Sequence, residues 1–174
     1  FFLYLAYNAP HTPLQAIDSD LAMFPNLKGN RKTYAAMVHG LDRGVGEVVK
    51  ALKANGQFEN TLIVFLSDNG GRPDEGAKNV PLRGAKGDTW EGGFRVPMFW
   101  HWPTVVPAGK TFDYPVDAID FYPTFAHLAE ASIPAGKKLD GKDGFQAVIA
   151  GKNARPGEPT DARLIGVRRR CHVW

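Results

Sequence analysis

Two nearly unbroken hydrophobic stretches, residues 1–7 and 61–67, lie on either side of a long stretch with helical periodicity. Neither has the polar alternation of a half-buried strand, so each predicts a strand covered on both faces, as in a parallel sheet. Between them, apolar residues recur at spacings of three and four, which predicts an amphipathic helix over residues 32–54. Strand, helix and strand together predict a βαβ unit with parallel strands.

The second half of the chain contains shorter apolar segments. Residues 96–102 predict a third strand, with Pro97 at its start, where a missing N–H is tolerated. Asp120 precedes a second amphipathic helix that has a proline in its first turn. After residue 132 the composition turns to glycine, proline and lysine, with one short apolar stretch at residues 145–150. The pattern predicts an α/β fold.

Polar residues follow both predicted parallel strands. Asp68 and Asn69 come directly after the second strand, and His11 stands between two prolines after the first. Ligands of open α/β sheets bind at the carboxyl ends of the strands, so these residues are candidates for a functional site. Two structural alternatives stay open, an ordinary Asx turn at Asp68 and a hydrogen-bonded structural histidine at His11.

The connection from residue 69 to residue 95 is long and rich in glycine, and loops of this length are usually functional. It lacks the G-x-x-x-x-G-K-[ST] pattern, which excludes a phosphate-binding P-loop. The glycines beside Lys86 allow that side chain to approach an anionic ligand. The structural alternatives are solvated charges at Lys86 and Arg83 and a core anchor at Trp90.

Composition narrows the classes of function. The 174 residues are 44% hydrophobic and 22% charged, which is typical of a globular domain with a real core. The net charge of +3 is weak grounds for a nucleic-acid partner, and no apolar run is long enough to span a membrane. The single Cys171 excludes an internal disulfide and a cysteine-rich zinc site. Residues 1–7 do not form a signal peptide, and they suggest that an N-terminal portion is absent.

Five short motifs occur in order along the chain, at residues 6–13, 66–71, 83–97, 120–124 and 139–141. Together they resemble the type I sulfatase family of the alkaline-phosphatase-like superfamily, from Phe1 to about Gly151. The resemblance implies a partial sulfatase core, a largely parallel central sheet with helices on both faces. Residues 1–151 would be the central to C-terminal part of the catalytic domain, and residues 152–174 an irregular tail.

The resemblance also implies a reaction and a set of site residues. The family hydrolyses sulfate esters, and the substrate would be a small molecule or a sulfated glycan. Asp68 and Asn69 resemble two of the family's calcium ligands, and carboxylate and amide oxygens suit Ca²⁺. His11 resembles the histidine that contacts the sulfate and assists at the leaving-group oxygen. Lys86 resembles the lysine that binds the sulfate, and Arg83 and Trp90 receive no firm role.

Part of the family pattern is missing from this sequence. Family members carry a Cys-x-Pro-x-Arg or Ser-x-Pro-x-Arg motif whose first residue becomes formylglycine, the nucleophile. Residues 171–174 do not match it, and residues 132–136 have glycine where arginine is required. The family's N-terminal pair of aspartate ligands is also missing. We therefore expect the nucleophile to lie outside this chain and the chain alone to be inactive.

Two other functions remain open at the level of sequence. The first is a phosphatase or phosphonate hydrolase of the same superfamily, which binds two transition-metal ions through more histidines. The five histidines here include no pair at metal-ligand spacing, which favours calcium and sulfate. The second is a non-catalytic calcium-binding remnant. The resemblance favours a periplasmic or secreted location, and the sequence does not address oligomeric state.

Overall fold

The computed structural model describes residues 1–156 and the backbone of Gly166–Val167. The chain divides into two compact units. The first, here called the helical unit, comprises Phe1–Phe58 and Gly71–Asn79, and the second, the sheet unit, comprises Glu59–Gly70 and Val80–Trp174. The inferences from Cys171 and from the end of the tail concern residues outside the described part of the chain.

The helical unit is organised around one long helix. Helix α1 spans Asp18–Ala22 and α2 spans Gly29–Ala54, so the predicted helix over residues 32–54 is confirmed and begins three residues earlier. A 3₁₀ turn at Pro73–Glu75 contacts α2. The Arg31 guanidinium donates a 2.7 Å hydrogen bond to the carbonyl oxygen of Gly76 and joins the two segments.

A buried carboxylate connects α1 to α2. Asp20 is 4% exposed and accepts hydrogen bonds from His39 Nδ1, at 2.9 Å, and from the Arg43 guanidinium. The hydrogen bond from Arg43 favours the ionised form and holds the pKa of Asp20 below its usual value. The sequence pattern did not predict α1, because five residues are too few to show helical periodicity.

The prediction of a strand over residues 1–7 is wrong. The structure has no strand there, and the large apolar side chains are exposed, Phe1 by 84%. An apolar run forms a strand only when a neighbouring strand supplies the ladder of backbone hydrogen bonds, and no described strand pairs with this segment. The predicted βαβ unit therefore lacks its first strand, and the argument that placed His11 at a strand's end fails with it.

The sheet unit contains two short antiparallel strand pairs. Strand β1, Ile63–Leu66, pairs with β2, Met98–His101, so that Ile63 faces His101. These strands confirm the predicted strands over residues 61–67 and 96–102, at shorter lengths. Strand β3, Val116–Asp117, pairs with β4, Gly166–Val167. A largely parallel sheet is not confirmed, since both pairs in the described part are antiparallel.

The core of the sheet unit is built on β2 and the segments that follow it. Helix α3 spans Glu91–Phe94, α4 spans Phe121–Leu128, which confirms the predicted second helix, and α5 spans Phe145–Ala150. The Trp100 ring stacks on Phe145 at a centroid distance of 6.1 Å. The buried core residues are Val96, Met98, Trp100, Val106, Phe112, Val116, Phe145 and Val148. None of the described helices is long and apolar enough to cross a membrane.

Asp120, which is 4% exposed, joins three segments of the sheet unit. Its carboxylate accepts hydrogen bonds from the backbone N–H of Asp117 at 3.0 Å and of Lys142 at 2.8 Å. It also pairs with the guanidinium of Arg155, which is itself largely buried. The motif at residues 120–124 therefore begins with a residue that holds the fold together.

Candidate functional site

The turn that carries Asp68 and Asn69 follows β1 directly, as predicted. The hydroxyl of Ser67 donates a 2.9 Å hydrogen bond to the carbonyl oxygen of Asn69 and closes the turn. The Asn69 side-chain amide donates to Asp68 Oδ2 at 2.5 Å. Asp68 is exposed, whereas the following Gly70 is buried. Asp68 thus lies at the surface and Asn69 is half-buried, on a turn whose base is fixed.

Gly70 fixes the base of this turn through direct backbone contact with Gly92 and Gly93. Its N–H donates a 2.8 Å hydrogen bond to the carbonyl oxygen of Gly93. A Cβ atom placed on Gly70 would lie 1.7 Å from the carbonyl oxygen of Gly92, far inside van der Waals contact. Only glycine permits so close an approach of two backbones. We call the packing of Gly70 on Gly92 and Gly93 the glycine contact.

The glycine contact connects the Asp68–Asn69 turn to the loop that carries Lys86. The Gly92 N–H donates a 2.7 Å hydrogen bond to the carbonyl oxygen of Arg83, and a Cβ on Gly93 would lie 2.3 Å from the carbonyl oxygen of Asp88. Asp88 in turn accepts a 2.8 Å hydrogen bond from the N–H of Ala85. These bonds form a tight turn over residues 85–88 on which Lys86 is exposed. The structure therefore brings two of the predicted site segments together.

Arg83 and Trp90 stand at the two ends of the Lys86 loop and contact each other. The Arg83 guanidinium carbon lies 3.8 Å from the centroid of the Trp90 ring, a cation–π geometry. Trp90 is 50% exposed, so the alternative that it anchors the core is wrong. The indole ring packs on the guanidinium of the exposed Arg83 rather than on the apolar core, and a Cβ added to Gly84 would lie 2.7 Å from the Cβ of Trp90.

His11 belongs to the helical unit, whereas Asp68, Asn69 and Lys86 belong to the sheet unit. The His11 side chain is exposed, and its Nδ1 lies 2.9 Å from the carbonyl oxygen of Thr12. A carbonyl oxygen only accepts hydrogen bonds, so this contact requires the proton on Nδ1. In the neutral ring Nε2 is then the free acceptor, and in the protonated ring it is a donor. The role of His11 stays a prediction.

The calcium ion that the resemblance implies would need a full set of oxygen ligands. Asp68 and Asn69 supply oxygen donors of the kind that Ca²⁺ prefers, but a calcium ion needs six to eight. No cluster of three or more histidine, cysteine or acidic side chains that could hold a metal occurs in the described part of the chain. The hydrogen bond between Asn69 and Asp68 would have to be replaced on cation binding. The pair fits as one part of a calcium site.

The sequence reasoning missed how the site is held. The pattern indicated that the backbone could approach a neighbour closely at Gly70 but assigned no partner to it, whereas the structure packs Gly70 directly on Gly92 and Gly93. The Gly-Gly sequence directly after Trp90 and Glu91 was the available signal. It could show that the backbone approaches something closely, but not that the partner is Gly70.

Comparisons with known proteins agree on one family. A family model described as Sulfatase matches residues 1–131. Arylsulfatase J of Mus musculus is 42% identical over 151 residues, which cover 86% of this chain and 25% of that protein. Steryl-sulfatase of Homo sapiens is 34% identical over 163 residues, which cover 89% of this chain and 27% of that protein.

Solved structures give the same result. Ps i-CgsB, crystallised in complex with k-i-k-neocarrahexaose, is 62% identical with a TM-score of 0.86, over 88% of this chain and 34% of that one. A sulfatase from Pseudoalteromonas sp., PsFucS1, is 38% identical with a TM-score of 0.64, over 71% of this chain and 26% of that one. The chain spans about a quarter to a third of the length of these relatives.

Proposed function

This chain belongs to the sulfatase family, and we propose that it forms the part of a sulfate-ester hydrolase that binds the sulfate group and contributes two calcium ligands. The glycine contact supports the proposal most directly. It ties the turn of Asp68 and Asn69 to the loop of Lys86 through backbone atoms, which hold their positions better than side chains do. A site that stabilises negative charge developing in a transition state needs such fixed geometry.

Lys86 supplies the positive charge that we propose for sulfate binding. Its ammonium group is exposed and stands on a turn closed by Asp88 and Ala85. A unit charge 4 Å from an anion is worth about 1 kcal/mol in bulk water and about 4 kcal/mol at an effective dielectric constant of 20. Lys86 therefore stabilises developing charge most strongly once a bound substrate has displaced water from the loop.

We assign to His11 the contact with the sulfate and the assistance at the leaving-group oxygen. Because Nδ1 is hydrogen-bonded to the Thr12 carbonyl oxygen, Nε2 is the ring nitrogen that we propose contacts the substrate. Proton donation to a leaving alkoxide from Nε2 requires the protonated ring, and acceptance of a hydrogen bond requires the neutral ring. This assignment rests on the resemblance of the motif at residues 6–13.

Asp68 and Asn69 would hold a calcium ion through a carboxylate and an amide oxygen, together with ligands from outside this chain. When bound, the calcium supplies a positive charge that polarises sulfate oxygens, and the formylglycine expected outside this chain supplies the nucleophile. The hydrogen bond from Ser67 to the Asn69 carbonyl oxygen keeps both side chains on one tight turn. What this chain contributes is therefore the position of two of the ligands.

We propose a sulfated glycan as the substrate, in preference to a small sulfate ester. The support is Ps i-CgsB, a 62% identical relative whose structure was solved with k-i-k-neocarrahexaose. Steryl-sulfatase, whose name points to a different substrate, is 34% identical. A polysaccharide substrate fits the periplasmic or secreted location that we also propose.

The experiment begins with the DNA upstream of Phe1. We expect an in-frame Cys-x-Pro-x-Arg or Ser-x-Pro-x-Arg there, and we call the product of that longer reading frame the extended protein. The extended protein should hydrolyse an aryl sulfate in the presence of calcium, while the 174-residue chain alone should not. A start codon at Phe1, or turnover by the chain alone, would contradict the proposal.

A further inference from the structure

Arg83 and Trp90 form an exposed pair and are not among the residues assigned above to the sulfate ester that is hydrolysed. The guanidinium lies over one face of the indole at 3.8 Å, and half of the Trp90 surface remains exposed. Both residues sit on the loop that carries Lys86, and Arg83 lies three residues away from it. The Cα atoms of Arg83 and Lys86 are thus at most about 11 Å apart, a distance that one oligosaccharide can span.

We propose that Arg83 and Trp90 form a second subsite, which binds a sulfated sugar ring next to the ring whose ester is hydrolysed. This inference rests on the proposed function. A guanidinium stacked on an aromatic ring keeps its N–H groups in its own plane, directed outward. That fork can donate two parallel hydrogen bonds to a sulfate, as it does to a phosphate. The exposed indole surface offers an apolar platform for the C–H face of a sugar.

The charges of the loop fit an anionic ligand. Its acidic side chains already have partners: Asp88 accepts the 2.8 Å hydrogen bond from the Ala85 N–H, and Glu91 pairs with Arg95 at 2.9 Å. Arg83 and Lys86 are both exposed. With the exposed carboxylate of Asp88 counted, residues 83–90 carry two cations and one anion, and this net positive charge together with the aromatic surface favours a polyanionic sugar over an uncharged one.

The test compares two substrates of the extended protein, k-i-k-neocarrahexaose and an aryl sulfate that has no second ring. The variants Trp90→Ala and Arg83→Ala should lower the ratio of kcat/KM for the hexaose to kcat/KM for the aryl sulfate by about tenfold, mainly through KM. Trp90→Ala keeps the Cβ against which Gly84 packs, so the loop should stay folded. Trp90→Phe should restore most of the ratio.

The matched control is Tyr122→Ala, which removes an aromatic side chain that is 52% exposed and lies outside the loop. It should leave the ratio unchanged. If Trp90→Ala and Arg83→Ala lower kcat/KM equally for both substrates, or for neither, the proposed subsite is wrong. In both cases the effect of the variants would not depend on a second sugar ring. In a binding titration of the 174-residue chain, the chemically desulfated hexaose should bind the unaltered chain and Arg83→Ala with equal strength, whereas the sulfated hexaose should bind Arg83→Ala more weakly.

A separate measurement distinguishes failure of the subsite from failure of the proposed function. If the extended protein hydrolyses neither substrate, the proposed function is contradicted and the subsite is tested by binding alone. The hexaose is then titrated into the 174-residue chain in a calorimeter. The dissociation constant should be about tenfold higher for Trp90→Ala than for the unaltered chain. Binding of equal strength in the variant, or no binding to the unaltered chain, would overturn the subsite.

Discussion

Replacement of Gly70 by alanine perturbs the glycine contact at its centre. The added Cβ would lie 1.7 Å from the carbonyl oxygen of Gly92 and 2.8 Å from its carbonyl carbon. Both atoms belong to the backbone, so no side-chain rotation can relieve the overlap. The two segments must separate by roughly 1.7 Å to reach ordinary contact distance, and that movement breaks the hydrogen bond from Gly70 to Gly93.

The cost of Gly70→Ala follows from these two effects. Overpacking in a rigid site costs about 1–3 kcal/mol. Loss of a buried backbone hydrogen bond adds about 1 kcal/mol. The free energy of unfolding should therefore fall by about 2–4 kcal/mol, which for a chain of this size lowers Tm by roughly 5–15 °C.

Urea unfolding followed by circular dichroism measures this change. The control is Gly144→Ala in the same unit, where the added Cβ meets only Ala154, at 3.8 Å. Gly144 is the N-cap of α5, and alanine there should cost no more than about 1 kcal/mol. An unfolding midpoint of Gly70→Ala equal to that of the unaltered chain would refute the account of the glycine contact.

Three further predictions concern single side chains. Lys86→Ala in the extended protein should lower kcat for an aryl sulfate by about 10²–10³-fold, whereas Lys110→Ala should not change it; equal rates for both variants would exclude Lys86 from the site. Asp120→Ala should destabilise the fold by about 3–5 kcal/mol in urea unfolding, because it removes the carboxylate that pairs with Arg155 in a largely buried site, and a loss below 1 kcal/mol would contradict this. Burial raises the pKa of Asp117 in the folded protein above its value in the unfolded chain. The free energy of unfolding should therefore fall as pH rises from the unfolded-state pKa through the folded-state pKa. Below this pH range, Asp117→Asn should unfold with the same free energy as the unaltered chain, and at pH 7 it should be the more stable of the two. A variant less stable than the unaltered chain at pH 7 would contradict this prediction.

Elements with a long periodic pattern could be predicted from the sequence. Helix α2 shows its apolar stripe over more than five turns, and its predicted end at residue 54 agrees with the structure, in which Gly56 follows the helix with a φ of 66°. Strands β1 and β2 could be predicted because each is a compact apolar run. The same reasoning failed for residues 1–7, since an apolar run does not specify which strand will pair with it.

The positions of the candidate site residues could be predicted in part. Asp68 and Asn69 were placed correctly after a strand because the apolar run before them ends abruptly. Their connection to Lys86 could not be predicted, because it depends on contacts between residues more than 20 positions apart in the chain. The alternative of a core anchor at Trp90 failed because a large aromatic residue is usually buried, whereas here the ring packs on the exposed Arg83 guanidinium and stays half-exposed.

The metal-dependent preference for sulfate over phosphate tests the central claim most directly. The extended protein is assayed with an aryl sulfate and the matching aryl phosphate, first after treatment with a chelator and then with calcium or zinc added back. We predict that the sulfate is the better substrate, that the chelator abolishes turnover and that calcium restores it, because Asp68 and Asn69 offer only oxygen donors. Faster hydrolysis of the phosphate, restored by zinc and not by calcium, would contradict the account and favour a phosphatase of the same superfamily.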